Sequence, residues 1–582
     1  MDTNRIGKQI MTLRKERGYT QENLAEFLNI SPQAVSKWEN GHALPETSVL
    51  PALAKLLDTS IDSILTDSKL QILSAFYGDG MESHNVTSRL NKLLQNDSLE
   101  IEVNALSLAC QPGGSRPGYL AVKYRTEQGI FYTFAEENGH LAINLESKAY
   151  TATEKAEIIA AAYGTSKAKM DVMQKVAHYK VFNWNEYHAD HESFPSNPMN
   201  DDKEYLTFVY LNKDGIHMVT CEEGESIAYN EDKTEFFRKQ ISGEYFIPNV
   251  PILPEFGKGW ECSWAAALTA ALMTMDIKAT YEHVMGVSGA CYRLAFCSPG
   301  WDYSSVDGLV AYDYATPGYK AFGFVPKFAD RVDKETRAEE RRRMVSEIRH
   351  NMPVLGINLR VAPEWGVICG YEENGADLFC RTKYDREIIA SADFKKDENN
   401  PYDYLRVDNW PFIITYFDGK TVPPSDRNNL LNSLAVFVDC SKQTNNRGYA
   451  MGLYAYEVWR KDLLEKDWYK SSNAEQTARR FSVNQFCTLA LCDARKAAYC
   501  YLKESQGLLP EYAGEMNRMA ELFGLISEKA GEIHTMLDSG EALEGERACR
   551  FWTKEMRHRQ AALLEEMLAA EREAMEIAEK IL

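Results

Sequence analysis

Between residues 3 and 40 the apolar positions recur three times at helical spacing. Ile6, Ile10 and Leu13 share one face of a first helix, with Arg14, Lys15 and Arg17 on the other and Gly18 as its stop. Thr20 caps a second helix carrying Leu24, Ala25 and Leu28. Ser31, followed by Pro32 at the first helical position, opens a third that runs from Gln33 to Trp38 and ends near Asn40-Gly41. After Lys69 the period drops to two. Leu99, Ile101 and Val103 alternate with polar residues, as do Leu120, Val122 and Tyr124, and then Ile130, Tyr132 and Phe134; Asn138-Gly139 predicts a hairpin turn before Leu141 and Ile143. A helix is expected over 152–178, followed by a second hairpin in which 205–211 and 216–221 flank Asn212-Lys213-Asp214-Gly215. Pro248, Pro251 and Pro254 mark a linker. A cysteine then heads a helix of small residues, and two buried strands follow near 353–371. From about 445 the pattern is helical again, over 446–467, 474–505, 509–537 and 542–582.

A chain of 582 residues is too long for one core. The periodicities divide it into an all-α helix-turn-helix domain (1–66), a β module (67–150), a helix plus β-hairpin connecting region (151–245), a cleft domain (246–440) and a C-terminal helical bundle (441–582). The fold class is multidomain α+β.

The net charge of −20 changes this picture only once it is divided. Residues 1–57 hold seven Lys/Arg and six Asp/Glu, so almost all of the acidity lies beyond them. An acidic remainder discourages non-specific nucleic-acid binding and leaves affinity to local contacts. No apolar run is long enough to span a bilayer and no signal sequence is legible, so a cytoplasmic protein with no membrane partner is expected. The twelve cysteines show no CxxC pair and no zinc spacing; reduced thiols, no metal and no cofactor are expected.

Two short helices joined by a tight turn, the second opened by small polar residues, are the arrangement that enters the major groove. Gln33 suits adenine, Ser36 can donate or accept, and Ala34 can touch a thymine methyl. Gln21 and Lys37 suit phosphates, with Ser31 and Asn40 at the two ends of the same helix completing the DNA-binding candidates. Val35 and Trp38 are core. The stretch from Ile6 to Leu65, with its LRKERGYTQ entry, its SPQAVSKWENG segment and its closing DTSIDSIL, resembles the Cro/CI-type (XRE-like) helix-turn-helix family. The resemblance implies a transcriptional regulator that binds double-stranded operator DNA, and a homodimer is expected because one recognition helix contacts too few bases for adequate specificity.

The run from Ile72 to Ile143, including "NVTSRLNKLL" and "GYLAVKYRTEQGIFYTFAEENGHLAI", resembles a domain of unknown function at the C-terminal end of some DnaJ-type co-chaperones. It implies a β-sandwich-like binding or scaffolding module. In "EYHADHES", His188 and His191 are read as solvated surface rather than a metal pair. The run Arg337–Arg343 is read as a solvated helix face with i,i+4 pairing.

Cys262 opens a helix, where a thiolate nucleophile would be built. "GKGWECSWAAALTAALMTM", "MGVSGACYRLAF" and the later Gly370-Tyr371 resemble papain-like bacteriocin-processing peptidases and, more closely, the N-terminal domain of butirosin-biosynthesis acyl-transfer proteins. That resemblance makes Cys262 the nucleophile and asks for a histidine shortly before Gly370. The chain has Pro363-Glu364-Trp365 there, so Cys262 lacks its general base, and Glu364 is a poor replacement because a carboxylate raises a neighbouring thiol's pKa. A cleft without its base suits a ligand. Cys262, Tyr292, Phe296, Trp301, Tyr303, Glu364 and Trp365 are the ligand-binding candidates, with Tyr312 and Tyr314 nearby. The expectation is a non-enzymatic DNA-binding regulator whose C-terminal region senses a small molecule or peptide. The alternative is a thiol-dependent acyltransferase or amidase fused to an autoregulatory DNA-binding domain.

Overall fold

The computed structural model describes residues 2–57, 59, 61–65, 69–79, 83–110, 118–147, 149–165, 168–194, 203–306 and 312–582. The expected boundary at 66–67, and Asp58 and Ser60 of the closing helix-turn-helix motif, lie outside the described residues. Residues 1–241 form one compact unit and residues 242–582 another.

The first unit begins with α1 (Thr3–Glu16), α2 (Gln21–Leu28), α3 (Pro32–Glu39), α4 (Leu50–Leu56) and α5 (Ile61–Leu65). They close around Ile6, Ile10, Leu24, Val35, Leu53 and Ile64. Then come β1 (Gln71–Gly78), β2 (Ser83–Asn85), α6 (Thr87–Leu93), β3 (Leu99–Glu102), α7 (Ala105–Leu108), β4 (Tyr119–Thr126), β5 (Gly129–Glu136) and β6 (His140–Ile143). They are followed by β7 (Glu157–Gly164), β8 (Lys169–Asp171), α8 (Met173–Val181), β9 (Glu186–His188), β10 (Tyr205–Leu211), β11 (Ile216–Glu222), β12 (Glu225–Tyr229) and β13 (Phe236–Gln240).

These two runs are copies of one module. The first sheet is ordered β2-β1-β4-β5 and the second β8-β7-β10-β11, while β3 pairs β6 just as β9 pairs β12. Ile72, Ala75, Tyr77, Gly78 and Val86 recur 86 positions later as Ile158, Ala161, Tyr163, Gly164 and Val172. Tyr119-Leu120, Tyr124 and Gly129-Ile130 likewise recur as Tyr205-Leu206, Tyr210 and Gly215-Ile216. Residues 151–245 are therefore more than the helix and hairpin expected, and no helix spans 152–178. Ile158–Gly164 is a central strand paired on both sides, and the helix there is confined to α8. In each copy one sheet face packs under its helix and a small second sheet, two-stranded in the first copy and three-stranded (β13-β12-β9) in the second, around Tyr77, Leu120 and Tyr124 in the first and Tyr163, Leu206 and Tyr210 in the second. A single copy is thus an α+β layer rather than the expected sandwich. The Asn138-Gly139 turn also ends in a different pairing, because β6 joins β3 and not β5.

The second unit contains β14 (Tyr245–Phe246), α9 (Ser263–Thr274), α10 (Tyr281–Ser288), β15 (Ala295–Phe296), α11 (Ala315–Ala321), β16 (Phe324–Asp330), α12 (Arg337–Arg349), β17 (Val354–Ile357) and β18 (Trp365–Glu372). It continues with β19 (Asp377–Arg381), α13 (Asp385–Ala390), β20 (Leu405–Arg406), β21 (Ile413–Lys420), α14 (Asp426–Lys442), β22 (Asn445–Asn446), β23 (Tyr449–Met451) and α15 (Gly452–Leu464). Its last helices are α16 (Ala474–Glu504), α17 (Ala513–Met536), α18 (Gly545–Phe551) and α19 (Lys554–Ile581). An antiparallel sheet ordered β16-β21-β17-β18-β19-β20, with β14 also on β18, supports the buried helix α9. The basic run on α12 keeps an exposed side at Arg342 and the expected i,i+4 pairing in Arg343–Glu347 at 3.7 Å, but it is also pinned to its neighbours. Arg341 donates to the carbonyls of Gly375 and Ala376, Arg343 pairs with Asp418 at 2.7 Å, and the Arg337 and Arg341 guanidinium groups lie over Trp410. Among the described residues, no helix is long and apolar enough to cross a membrane.

Candidate nucleic-acid interface

Caps shape the α2–α3 pair. Thr20 Oγ1 accepts the Asn23 N–H at 3.1 Å while Asn23 Oδ1 accepts the Thr20 N–H at 3.2 Å, a reciprocal box that fixes where α2 begins. Asn29 ends α2 at a φ of 55°, a left-handed conformation that asparagine tolerates. Ser31 Oγ then accepts the Ala34 N–H at 3.2 Å with Pro32 behind it, and α3 starts.

On α3, Val35 and Trp38 are buried, whereas Gln33, Lys37 and Asn40 are exposed and Ser36 is half-buried. The polar four are spaced i, i+3, i+4 and i+7, so they form one stripe. Ala34 is half-buried beside it and Ser31 is exposed at its head. Asn40 Nδ2 donates to the Ser36 carbonyl at 2.8 Å and so finishes the helix. The backbones of α1 and α3 approach so closely that a Cβ on Gly7 would sit 2.1 Å from the Trp38 carbonyl oxygen.

Two residues sit differently from expectation. Arg14 is not on an outer face; it is buried, with Nε 2.6 Å from Glu39 Oε1, Nη2 3.0 Å from Oε2 and Nη1 on the Tyr19 carbonyl. Glu39 neutralises the buried charge. Gln21, expected to reach outward to phosphate, donates its amide to Glu39 Oε2 at 2.6 Å. Its backbone remains at the first turn of α2, so α1, α2 and the end of α3 are locked through one carboxylate.

In the second unit Cys262 is the N-cap of α9 and 1% exposed. Its N–H donates to Tyr281 Oη at 2.9 Å, and that hydroxyl donates to Asp493 Oδ2 at 2.6 Å. Lys383, absent from the sequence-level candidates, is buried beside this group and donates to the Trp260 carbonyl at 2.8 Å; burial lowers its pKa against the pull of Glu261 and Asp493. Burial also raises the Glu261 and Asp493 carboxyls. Glu364 precedes Trp365, whose N–H donates to Ser263 Oγ at 3.3 Å, so it enters the strand alongside the head of α9.

Among the described residues, four of the aromatic candidates, Tyr292, Phe296, Trp301 and Trp365, are buried. Tyr292 packs between Phe437 and Phe523, Phe296 stacks on Trp459, and Trp301 donates its indole N–H to Asp462 at 2.9 Å. Helices α14, α15 and α17 cover Tyr292, Phe296 and Trp301 on faces the sequence left open, while Trp365 is buried on β18, which packs on α9. The void beside Phe296 measures about 20 Å³. Tyr303 is the exception at 45% exposed, donating to Ser482 Oγ at 2.7 Å. Of the two histidines read as solvated surface, His191 is exposed, 3.2 Å from the buried Glu204, whereas His188 is buried 3.5 Å from Glu186.

Residues 10–64 match the Helix-turn-helix family (HTH_3). The chain is 36% identical over 69 residues to the HTH-type transcriptional activator BcrR of Enterococcus faecalis, covering 12% of this chain and 34% of that protein. It is 34% identical over 66 residues to the SPbeta prophage-derived HTH-type transcriptional regulator YonR of Bacillus subtilis, covering 11% of this chain and 61% of that protein. It is 33% identical over 69 residues to the HTH-type transcriptional regulator YazB of Bacillus subtilis, covering 12% of this chain and 100% of that protein. The chain thus spans about a third of the first of these relatives and about three fifths of the second. The N-terminal domain is an XRE-type helix-turn-helix, and through it the chain belongs to the helix-turn-helix family.

Proposed function

We propose that the protein is a cytoplasmic, sequence-specific transcriptional regulator that binds double-stranded operator DNA as a homodimer. The reading is carried by the polar Gln33–Ser36–Lys37–Asn40 stripe on α3, in a domain whose relatives are HTH-type regulators. Gln33 and Ser36 read base edges, Ala34 meets a thymine methyl, and Lys37, Asn40, Ser31 and the α2 N-terminus at Gln21 hold phosphates. A homodimer supplies the second half-site that one short helix needs for adequate specificity. In a mobility-shift assay with operator selected from random sequence, Gln33→Ala with Ser36→Ala removes selectivity and leaves weak non-specific binding. Undiminished selectivity in that double variant overturns the assignment.

We infer further that the rest of the chain senses a small molecule or peptide and that Cys262 is not a nucleophile. Its burial, its carboxylate neighbours and the Glu364 position support this. Iodoacetamide labelling of Cys262 across pH is the check: a thiolate forming well below about 8.5 restores the acyltransferase reading.

A further inference from the structure

The two modules of the first unit turn their helix-free sheet faces toward each other, and between them lies a cavity of about 460 Å³. This is within the range of pockets that hold small molecules. The first copy contributes Phe76 from β1, Tyr119 and Lys123 from β4, and Tyr132 and Phe134 from β5; the β10–β11 hairpin closes the other side with Val209, Ile216 and Met218. Gly215 lets that hairpin come close: at a φ of 137°, its Cβ would lie 2.9 Å from the Tyr132 ring.

The repeat identifies what the fold itself requires. Lys123, Tyr132 and Phe134 have Val209, Met218 and Thr220 as their counterparts 86 positions on. The same backbone is therefore built in the second copy without a cation or an aromatic ring at these places. Phe76 is 45% exposed, so its ring is not spent on packing. Lys123 Nζ lies 5.7 Å from the centre of the Tyr132 ring, and among the described residues no carboxylate pairs with it. Neighbouring cations are matched: Lys169 lies 2.8 Å from Glu136 and Arg125 lies 3.1 Å from Glu16. Asp214, the acid in the lining, is exposed at the hairpin turn.

We propose that this cavity binds a planar aromatic molecule bearing one carboxylate, with its ring against Phe76, Tyr132 and Phe134 and its charge on Lys123. An aromatic face gains from stacking on these rings, and a carboxylate gives Lys123 a charge-assisted partner. The site also lies next to the DNA reader. Arg125, two residues beyond Lys123 on the same face of β4, pairs with Glu16 at the end of α1, and Gln71 at the start of β1 hydrogen-bonds Thr59. Occupancy is thereby passed to the helix-turn-helix domain, a step that rests on the DNA-binding reading.

Isothermal titration of the full chain with 2-naphthoate and with neutral 2-naphthamide, in the absence of DNA, tests the site by itself. One saturable site per chain is expected, binding the acid at least tenfold more tightly than the amide. Lys123→Gln, at a half-buried position with no ion-pair partner among the described residues, brings the acid down to the level of the amide and leaves the amide unchanged. Ala121→Trp fills the cavity and removes both. No saturable binding of either probe, or a preference for the acid that survives Lys123→Gln, overturns the proposal. A mobility shift unchanged by saturating 2-naphthoate overturns the coupling and leaves the site standing.

Discussion

Arg14 carries a full charge in the interior of the helical domain, tolerated because Glu39 accepts two of its N–H groups and Tyr19 a third. Removing one partner strands the other. Arg14→Met is expected to cost about 3 kcal/mol of local stability, with Arg14→Met/Glu39→Leu recovering much of it. Hydrogen exchange over residues 3–39 measures both: faster exchange in the single variant and partial return in the double are expected, and equal rates in wild type and Arg14→Met would refute it. At this scale the caps were legible, since Thr20, Ser31 and Pro32 act on backbone groups within three residues of themselves. Arg14 was not, because its partner lies on another helix and a helical wheel cannot name it.

Among the elements, β7 is the instructive case. Its Ile-Ile-Ala-Ala-Ala run favours a helix by propensity, yet β8 and β10 pair with it on both sides and take its backbone hydrogen bonds. The β10–β11 hairpin was legible from alternation and its Asn-Lys-Asp-Gly turn. One of its residues sets a pH dependence. His217 Nε2 lies 2.9 Å from Asn212 Oδ1, and burial lowers the imidazole pKa against the opposing pull of Asp214 and Glu235. The unfolded chain takes up that proton near about 6.5, while the folded hairpin resists it. Its stability is therefore intact above that value and falls as pH drops below it, until the folded imidazole protonates in turn. Exchange rates for 205–222, corrected for intrinsic pH effects, should rise relative to the His217→Gln variant between pH 7.5 and 5.5. A constant ratio would remove His217 as the cause.

Across the whole molecule, buried charge organises the second unit as well. Arg495 on α16 pairs with Glu571 on α19 at 2.6 Å and also donates to the Cys291 and Arg293 carbonyls, so one guanidinium joins the helices to the segment after α10. Arg495→Met is expected to lower the stability of this unit by roughly 3–5 kcal/mol. Thermal unfolding followed by calorimetry checks it, and an unmoved transition would show the pair to be dispensable. Helices α14, α15 and α17 cover Tyr292, Phe296 and Trp301, which is why residues that looked like a cleft lining are core.

The amino-acid order alone determined the helix-turn-helix domain, because capping, turn chemistry and a 3.6-residue period are local and leave their marks within a few residues. It also held the 86-residue repeat, written in matching positions such as Tyr77 and Tyr163, but a search by periodicity passes over a period that long. Only the tertiary structure decided which aromatic residues are core and which face a cavity. That choice depends on what packs over each face, and the covering elements come from a hundred or more residues away.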